Sequence, residues 1–324
     1  MRLLTTLKYL AWAAAACVLP LSAHAQAKYP ERPITIIVPF AAGNSSDIVT
    51  RMIGQHLSQR LGQPIIVDNR PGAGGTIGTA HGVKQPADGY TLIFGSPGPL
   101  VIAPAVLDSV PYTLDDLDAV APLVGVPMAF VVPAGSPIKD IPSLIKAART
   151  RGKPLFYGSS GTGGTQHLLV AGFVAAAGIN MTHAPYKGGV AALTDLAAGR
   201  IDLTADSISV LQPQLDAGRV RAIAVTPAER IPQLPDTPTI KEQGVDFSMQ
   251  SWMSLMAPRG TPPAILDRLS KEVRDILALP DVQKQLAGLG FTPMKMDRSG
   301  LKDFIKNEQR AWGKVIALAG VKKQ

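Results

Sequence analysis

The sequence predicts an α/β protein built as two α/β domains, joined by two crossing segments, with a ligand cleft between them. Three observations carry this. Short apolar runs of strand length alternate with stretches of helical spacing from residue 34 onward. The rhythm breaks at a proline-rich passage, PAVLDSVPYTLDDLDAVAPLVGVP, and then restarts. The last third differs in kind, with three helical patterns around one short strand, and such elements need an earlier sheet to pack on.

The first strand is ITIIVPF (34 to 40), a buried apolar run. The helix after it, DIVTRMIGQHLSQRLG, puts Ile48, Val49, Met52, Ile53, Leu57 and Leu61 on one face. PIIVDN (64 to 69) is the second strand; RPGAGGTIGTAHGVKQ starts in a glycine turn and becomes helical; YTLIFGS (90 to 96) is the third strand. Strands separated by helices through short connections imply parallel pairing and a doubly wound sheet.

After the proline-rich passage, MAFVVPAG is a strand, DIPSLIKAAR a helix, PLFYGSS (154 to 160) a strand and TQHLLVAGFVAAAG a helix. MTHAPYKG, VAALTDLAAG, IDLTADS, VLQPQLDAG and VRAIAVT continue the alternation to residue 226. ERIPQLPDTPTIKEQG is rich in turn formers, and SMQSWMSLMAP (248 to 258) reads as an extended strand. FTPMKM is a short strand, and the final helix aligns Leu301, Phe304, Ile305, Trp312, Val315, Ile316 and Ala319. Because the first domain has only three clear strands, the chain is expected to return and complete it. The expected division is residues 26 to 125 with 250 to 324 as one domain and 126 to 249 as the other.

The N-terminus predicts export. Arg2 and Lys8 precede or flank the apolar run LAWAAAACVLPL, and Ala-His-Ala at 23 to 25 supplies small residues for cleavage after Ala25. Cys17, the single cysteine, lies inside this segment, so the mature chain has no thiol for disulfides or catalysis. Cleavage leaves 299 of 324 residues, and removes two of the 32 basic and none of the 24 acidic ones, for a formal charge of +6. The basic residues are dispersed and lack aromatic interleaving, which argues against a nucleic-acid partner. With 46% hydrophobic and 5% aromatic residues the core is aliphatic.

Two glycine-rich stretches come near known catalytic or cofactor motifs without completing them. GAGGTIG (72 to 78) has isoleucine where the dinucleotide fingerprint needs its last glycine, and reads as a structural turn. GSSGTGGT (158 to 165) has Gly164 where a P-loop needs lysine, and Thr162 where a nucleophile elbow needs glycine. What remains is a turn that opens a helix, with hydroxyls suited to an anion. PFAAGNSSD (39 to 47) is a second such helix start. His56, His81, His167 and His183 have no metal-ligand spacing, and no carboxylate pair is arranged for acid and base work. Asp206 sits at the carboxyl end of a predicted strand, as either a ligand contact or the cap of the next helix.

The segments YPERPITIIVPFAAGNSSD, LGQPIIVDNRPGAGGTIG, PADGYTLIFGS, YGSSGTGGTQHL, HAPYKGG, LAAGRIDL, GRVRAIAVT, PQLPDTPTIKEQG and APRGTPPAILDRL resemble, in order and spacing, the tripartite tricarboxylate transporter solute-binding family, the Bug receptors. The resemblance runs from Tyr29 to Trp312. It implies a periplasmic binding protein-like fold that closes on a small carboxylated organic ligand, acts as a monomer without cofactor, metal or catalytic residue, and serves cognate membrane transporter subunits. The ligand-binding residues it implies are Phe40, Ala42, Gly43, Asn44 and Ser45 in the first loop, Ser159, Thr162, Gly163, Gly164 and Thr165 in the second, and Ser96 and Asp206 beside them. The family's first loop usually has a second glycine where this chain has Asn44, whose amide has three possible uses: to bond the ligand, to cap the helix or to narrow the pocket. Asn44-x-x-Asp47 resembles a capping box, which predicts that Asp47 organises the loop without touching the ligand. The competing readings are an exported hydrolase using Ser160 or Thr162 and a ligand sensor feeding a membrane kinase.

Overall fold

The computed structural model describes residues 29 to 318, 320, 321 and 323. The expected signal segment, with Cys17, and the apolar position Ala319 lie outside the described residues. From residue 32 onward the chain forms one compact unit containing two sheets.

The strands and helices occur in chain order. They are β1 (Ile34–Val38), α1 (Ser45–Leu61), β2 (Ile65–Asn69), α2 (Thr76–Val83) and β3 (Thr91–Gly95). A π turn (Gly98–Ile102) runs into α3 (Ala103–Val106), followed by β4 (Leu117–Val126) and β5 (Met128–Pro133). The middle of the chain holds α4 (Ile141–Thr150), β6 (Leu155–Ser159), α5 (Thr165–Ala176), β7 (Met181–Pro185), α6 (Gly189–Ala197), β8 (Leu203–Ser207), α7 (Ile208–Asp216) and β9 (Val220–Val225). The chain ends with β10 (Ser251–Pro258), α8 (Pro263–Leu277), α9 (Pro280–Gly288), β11 (Thr292–Pro293) and α10 (Arg298–Leu318).

The first sheet has the order β11-β4-β10-β3-β1-β2 and the second β7-β6-β8-β5-β9. Both are mixed: the parallel pairing expected for helix-separated strands holds for β1 with β2 and β3 and for β6 with β7 and β8, and it fails at β5 and β10. β1 runs parallel to β2 and β3, but β10 is antiparallel to β3 and β4. In the second sheet β6 is parallel to β7 and β8, whereas β5 is antiparallel to β8 and β9. The cause is topological. β5 enters the second sheet directly from β4 through the single residue Pro127, without a crossover helix to reverse its direction.

β4 is the strand that the sequence pattern hid, inside the proline-rich passage. Pro122 cannot donate to a ladder and ordinarily argues against a central strand. Here it pairs with Ser254 at a register shift of β10, where an irregular ladder tolerates the missing N–H.

The buried face of α1 is Val49, Ile53, Leu57 and Leu61, with Gly54 set against Ile65. Ile48, expected on that face, is exposed, because the stripe is centred a residue further round the helix. In α10, Leu301, Ile305, Trp312, Val315 and Ile316 are buried, and Phe304 packs edge-on to Trp252. This helix ties the two sheets together. Glu308 accepts hydrogen bonds from Trp252 Nε1 at 2.9 Å and from Trp312 Nε1 at 3.1 Å, and Gln309 Nε2 donates to Leu100 O at 2.9 Å. At its other end Val315 lies so close to Gly172 of α5 that a Cβ there would meet it at 2.8 Å. The core is therefore continuous from β3 through α10 to α5.

Candidate functional site

A cavity of about 500 Å³ lies where the two sheets face each other. The N-terminal residues Ser45 and Ser46 of α1 line one side, and Thr162, Gly163, Gly164 and Thr165 at the start of α5 line the other. Each helix follows the carboxyl end of a parallel strand, the position where ligands collect in open α/β sheets. Aligned peptides place roughly half a positive charge at each helix start. The N–H groups of Ser45, Ser46, Thr162 and Thr165 find no acceptor among the described residues. Two sets of free donors thus converge on one space.

The first loop is held by charge. Gly43 takes the left-handed backbone at φ 82°, and Asn44 is extended at φ −82° and caps α1, its Oδ1 accepting from Asp47 N at 3.0 Å. The absent second glycine is thus not needed for its conformational freedom, and the Asn44 amide serves the helix. Asp47 is almost fully buried and turns back, accepting from Gly43 N–H at 2.9 Å. The expected capping box is shifted by one residue, since in that motif the carboxylate reaches the cap's own N–H. Arg51 Nε and Asn69 Nδ2 also donate to Asp47, each at 3.0 Å, and Asn69 Nδ2 lies 3.2 Å from Phe40 O. The Arg51 hydrogen bond, helped by Gly43 and Asn69, holds the Asp47 carboxyl below the usual carboxylate range against the opposing effect of its burial.

The second loop is held by neutral groups. α5 has no side-chain cap, and Gly163 bends at φ 76° so that its N–H donates to His167 Nδ1 at 3.0 Å. Because Nδ1 accepts, His167 is neutral and carries its proton on Nε2. Its ring stacks on His183 with centroids 3.8 Å apart, and His183 stacks on Tyr157 at 5.1 Å. Burial, with a smaller effect of His183, pushes His167 down to about 4, and burial lowers His183 as well. Ser159 Oγ lies 2.7 Å from His183 Nε2, donates to Gly161 O at 3.0 Å and accepts from Gly161 N. Ser160 N–H donates to Gln166 Oε1, and Gln166 Nε2 donates to Asp206 Oδ2. Burial raises Asp206 to about 6.

Of the residues anticipated as ligand contacts, Phe40, Ser45, Ser96, Thr162, Gly163, Gly164 and Thr165 line the cavity. Ala42, Gly43, Asn44, Ser159 and Asp206 do not. Ala42 and Gly43 face solvent, and the Asn44 amide is spent on the helix cap. Ser159 is completely buried under its own loop, and Asp206 lies beneath it, bonded to Gln166 and Ser207 N. Gly163 lines the cavity, but its N–H points to His167. Asp206 is also not the side-chain cap of α7. The lining also takes in residues that carry no local sequence signal, among them Ser46, Gly74, Phe94, Ile102, Val106, Ser251, Trp252 and Met253. Gly74 belongs to the glycine turn read as structural, and Ser251, Trp252 and Met253 to the strand that returns to the first sheet. Among the described residues no cluster of three or more His, Cys, Asp or Glu is placed to hold a metal ion, and no helix is long and apolar enough to cross a membrane.

Residues 49 to 321 match the profile of the Tripartite tricarboxylate transporter family receptor. The chain belongs to that family. It is 39% identical over 291 residues to the "UPF0065 protein in tcbD-tcbE intergenic region" of Pseudomonas sp. (strain P51), covering 89% of this chain and 86% of the relative. Among solved structures, R. palustris Rpa4515 with adipate superposes with a TM-score of 0.81 at 36% identity, over 91% of this chain and all of that one. MatC from Rhodopseudomonas palustris with bound malate gives 0.76 at 31% identity, over 89% of this chain and all of that one. The fold is that of a periplasmic binding protein, and the receptors of this family bind solutes in the periplasm.

Proposed function

We propose that this receptor captures a small carboxylated organic solute between its two lobes and delivers it to the membrane subunits of a tripartite tricarboxylate-type transporter. The observation that carries this is the convergence of free N–H groups from two helix starts, one from each sheet, on a single cavity. An anion between them interacts with both lobes and so favours their closed arrangement; a ligand held by one lobe alone would shift nothing. Relatives bound to adipate and malate support a carboxylate as the anion.

The lobes are residues 26 to 125 with 250 to 324, and residues 126 to 249, and the chain reaches the periplasm after cleavage behind Ala25. Asp47 braces the first loop and leaves the ligand to the main chain. The ligand leaves chemically unchanged. A hydrolase using Ser160 or Thr162 needs a base beside either hydroxyl, and the two histidines of this loop are bonded instead to the buried Ser159 Oγ and to Gly163 N–H. The test is a thermal-shift screen of organic acids, with mass spectrometry of the recovered hit. Stabilisation by an acid that returns intact supports the proposal; turnover of the hit, or stabilisation by none of the acids, refutes it.

A further inference from the structure

The mouth of the cleft carries a feature that ligand binding inside the cavity does not use. In both sheets the strands that take the chain from lobe to lobe, β4 and β10 in the first and β5 and β9 in the second, lie beyond β3 and β8. β2 and β7 are the opposite edges, so the cleft opens on their side. Three helix starts border that opening. α1 and α2 follow the parallel strands β1 and β2, and Ser45, Ala73 and Gly74 at their entries line the cavity. α6 follows β7, which runs parallel to β6, and so begins on the same side of its sheet as α5, whose start lines the cavity from the other lobe.

Each of these starts carries an uncovered β-branched side chain in its first turn: Ile48 in α1 is 42% exposed, Ile77 in α2 56% and Val190 in α6 69%. None of the three lines the cavity. One exposed aliphatic residue by itself means nothing. Here both lobes present them at one mouth, and the other large exposed apolar side chains among the described residues are Ile66, Phe156 and Leu318. Side chains on a helix lean toward its N-terminus, so first-turn residues overhang the helix start on the side of the facing lobe. Their branching leaves few rotamers in a helix, and packing them costs little entropy.

We propose that Ile48 and Ile77 on one lip and Val190 on the other form the closing contact of the cleft, packing together when an acid bridges the lobes. This rests on the carboxylate reading above. The acid supplies the charge that draws the lobes together, and the lips add apolar burial that exists only in the closed form. They strengthen binding without touching the ligand, and equally for any acid that fits. Serine at these positions leaves the free protein as stable as before, because the side chains are uncovered there.

Thiol protection tests this directly, because Cys17 is the only cysteine of the full chain and the mature protein has none. The single variants Ile77→Cys and Val190→Cys, with Ile66→Cys in β2 as the control, are labelled with a soluble maleimide. Each is labelled with and without the tightest binder among adipate, malate, citrate and benzoate. The expected result is that the acid slows labelling roughly tenfold in Ile77→Cys and Val190→Cys, as closure leaves a minor open population, and leaves Ile66→Cys unchanged. In calorimetric titration the double variant Ile77→Ser/Val190→Ser binds the same acid about tenfold more weakly, with an unchanged melting temperature in its absence. Labelling that the acid does not slow in the two lip variants, equal slowing in Ile66→Cys, or full affinity in the serine variant overturns the inference and leaves the carboxylate reading standing. Binding of none of these acids refutes the carboxylate reading, and the closing contact falls with it.

Discussion

The two loops that face the cavity present the same kind of donor, main-chain N–H at a helix start, yet they are held in place by opposite chemistry. The first is organised by a buried carboxylate paired with a guanidinium and an amide, and the second by stacked neutral imidazoles and a glutamine resting on a buried acid. Asp47 is charged over the whole neutral and mildly acidic range, so the first loop keeps its geometry when pH falls. The second depends on His167 staying neutral, because a proton on Nδ1 takes the acceptor from Gly163 N–H. A receptor thus has one jaw insensitive to acid and one that acid loosens.

The largest expected effect comes from breaking the charged jaw. Asp47→Ala strands Arg51, Asn69 and the Gly43 N–H together, and is expected to cost about 2 kcal/mol of stability, discounted for the half-exposed arginine. Ligand affinity falls with the loop by more than tenfold, measured by denaturant unfolding and by titration with the best acid found. Next is the neutral jaw. His167→Phe keeps the stack on His183 but removes the acceptor, costing about 1 kcal/mol and lowering affinity by roughly fivefold.

The pH response sharpens the comparison further. His167 titrates near 4 when folded and near 6.5 when unfolded, so the unfolded chain binds the proton first and the stability this residue contributes is lost as pH falls from about 6.5 to about 4. His183 acts in the same direction. Asp206 opposes them, since its folded value of about 6 lies above 3.8 and its contribution is present below 3.8 and lost as pH rises through about 6. In the natural protein the two trends partly cancel. In Asp206→Asn the histidine loss is unopposed, and the melting temperature is expected to drop by about 4 °C more between pH 6.5 and 4 than in the natural protein. An unchanged pH profile in this variant would show that these groups do not hold the second jaw. The smallest effect is expected at the cap. Asn44→Gly costs only a few tenths of a kcal/mol, against about 1 kcal/mol for Asn44→Ala, as read by chemical denaturation.

The first jaw was more legible in the sequence than the second. Asn44-x-x-Asp47 is a local pattern, four residues long, and its bonds run within one turn of helix plus Asn69. The pairing of Ser159 with His183 depends on β6 lying beside β7, which places Tyr157 opposite His183 in register, 26 residues away along the chain. Spacing alone does not announce such a contact. The same limit applies to Trp252 and Met253: their apolar run was legible as a strand, whereas its insertion between β3 and β4 is a property of the whole sheet. The stripe on α10 was visible as a buried face, but a stripe does not say that one helix packs on both lobes.

The central claim is that one ligand carboxylate is gripped by main-chain donors from both jaws. A crystal structure of the protein with its tightest-binding acid tests it most directly. The expected result is carboxylate oxygens within hydrogen-bond distance of Ser45 or Ser46 N–H on one side and Thr162 or Thr165 N–H on the other, with Asp47 still bonded to Arg51 and Gly43. A carboxylate held by one jaw only, or by the Asp47 side chain, contradicts it.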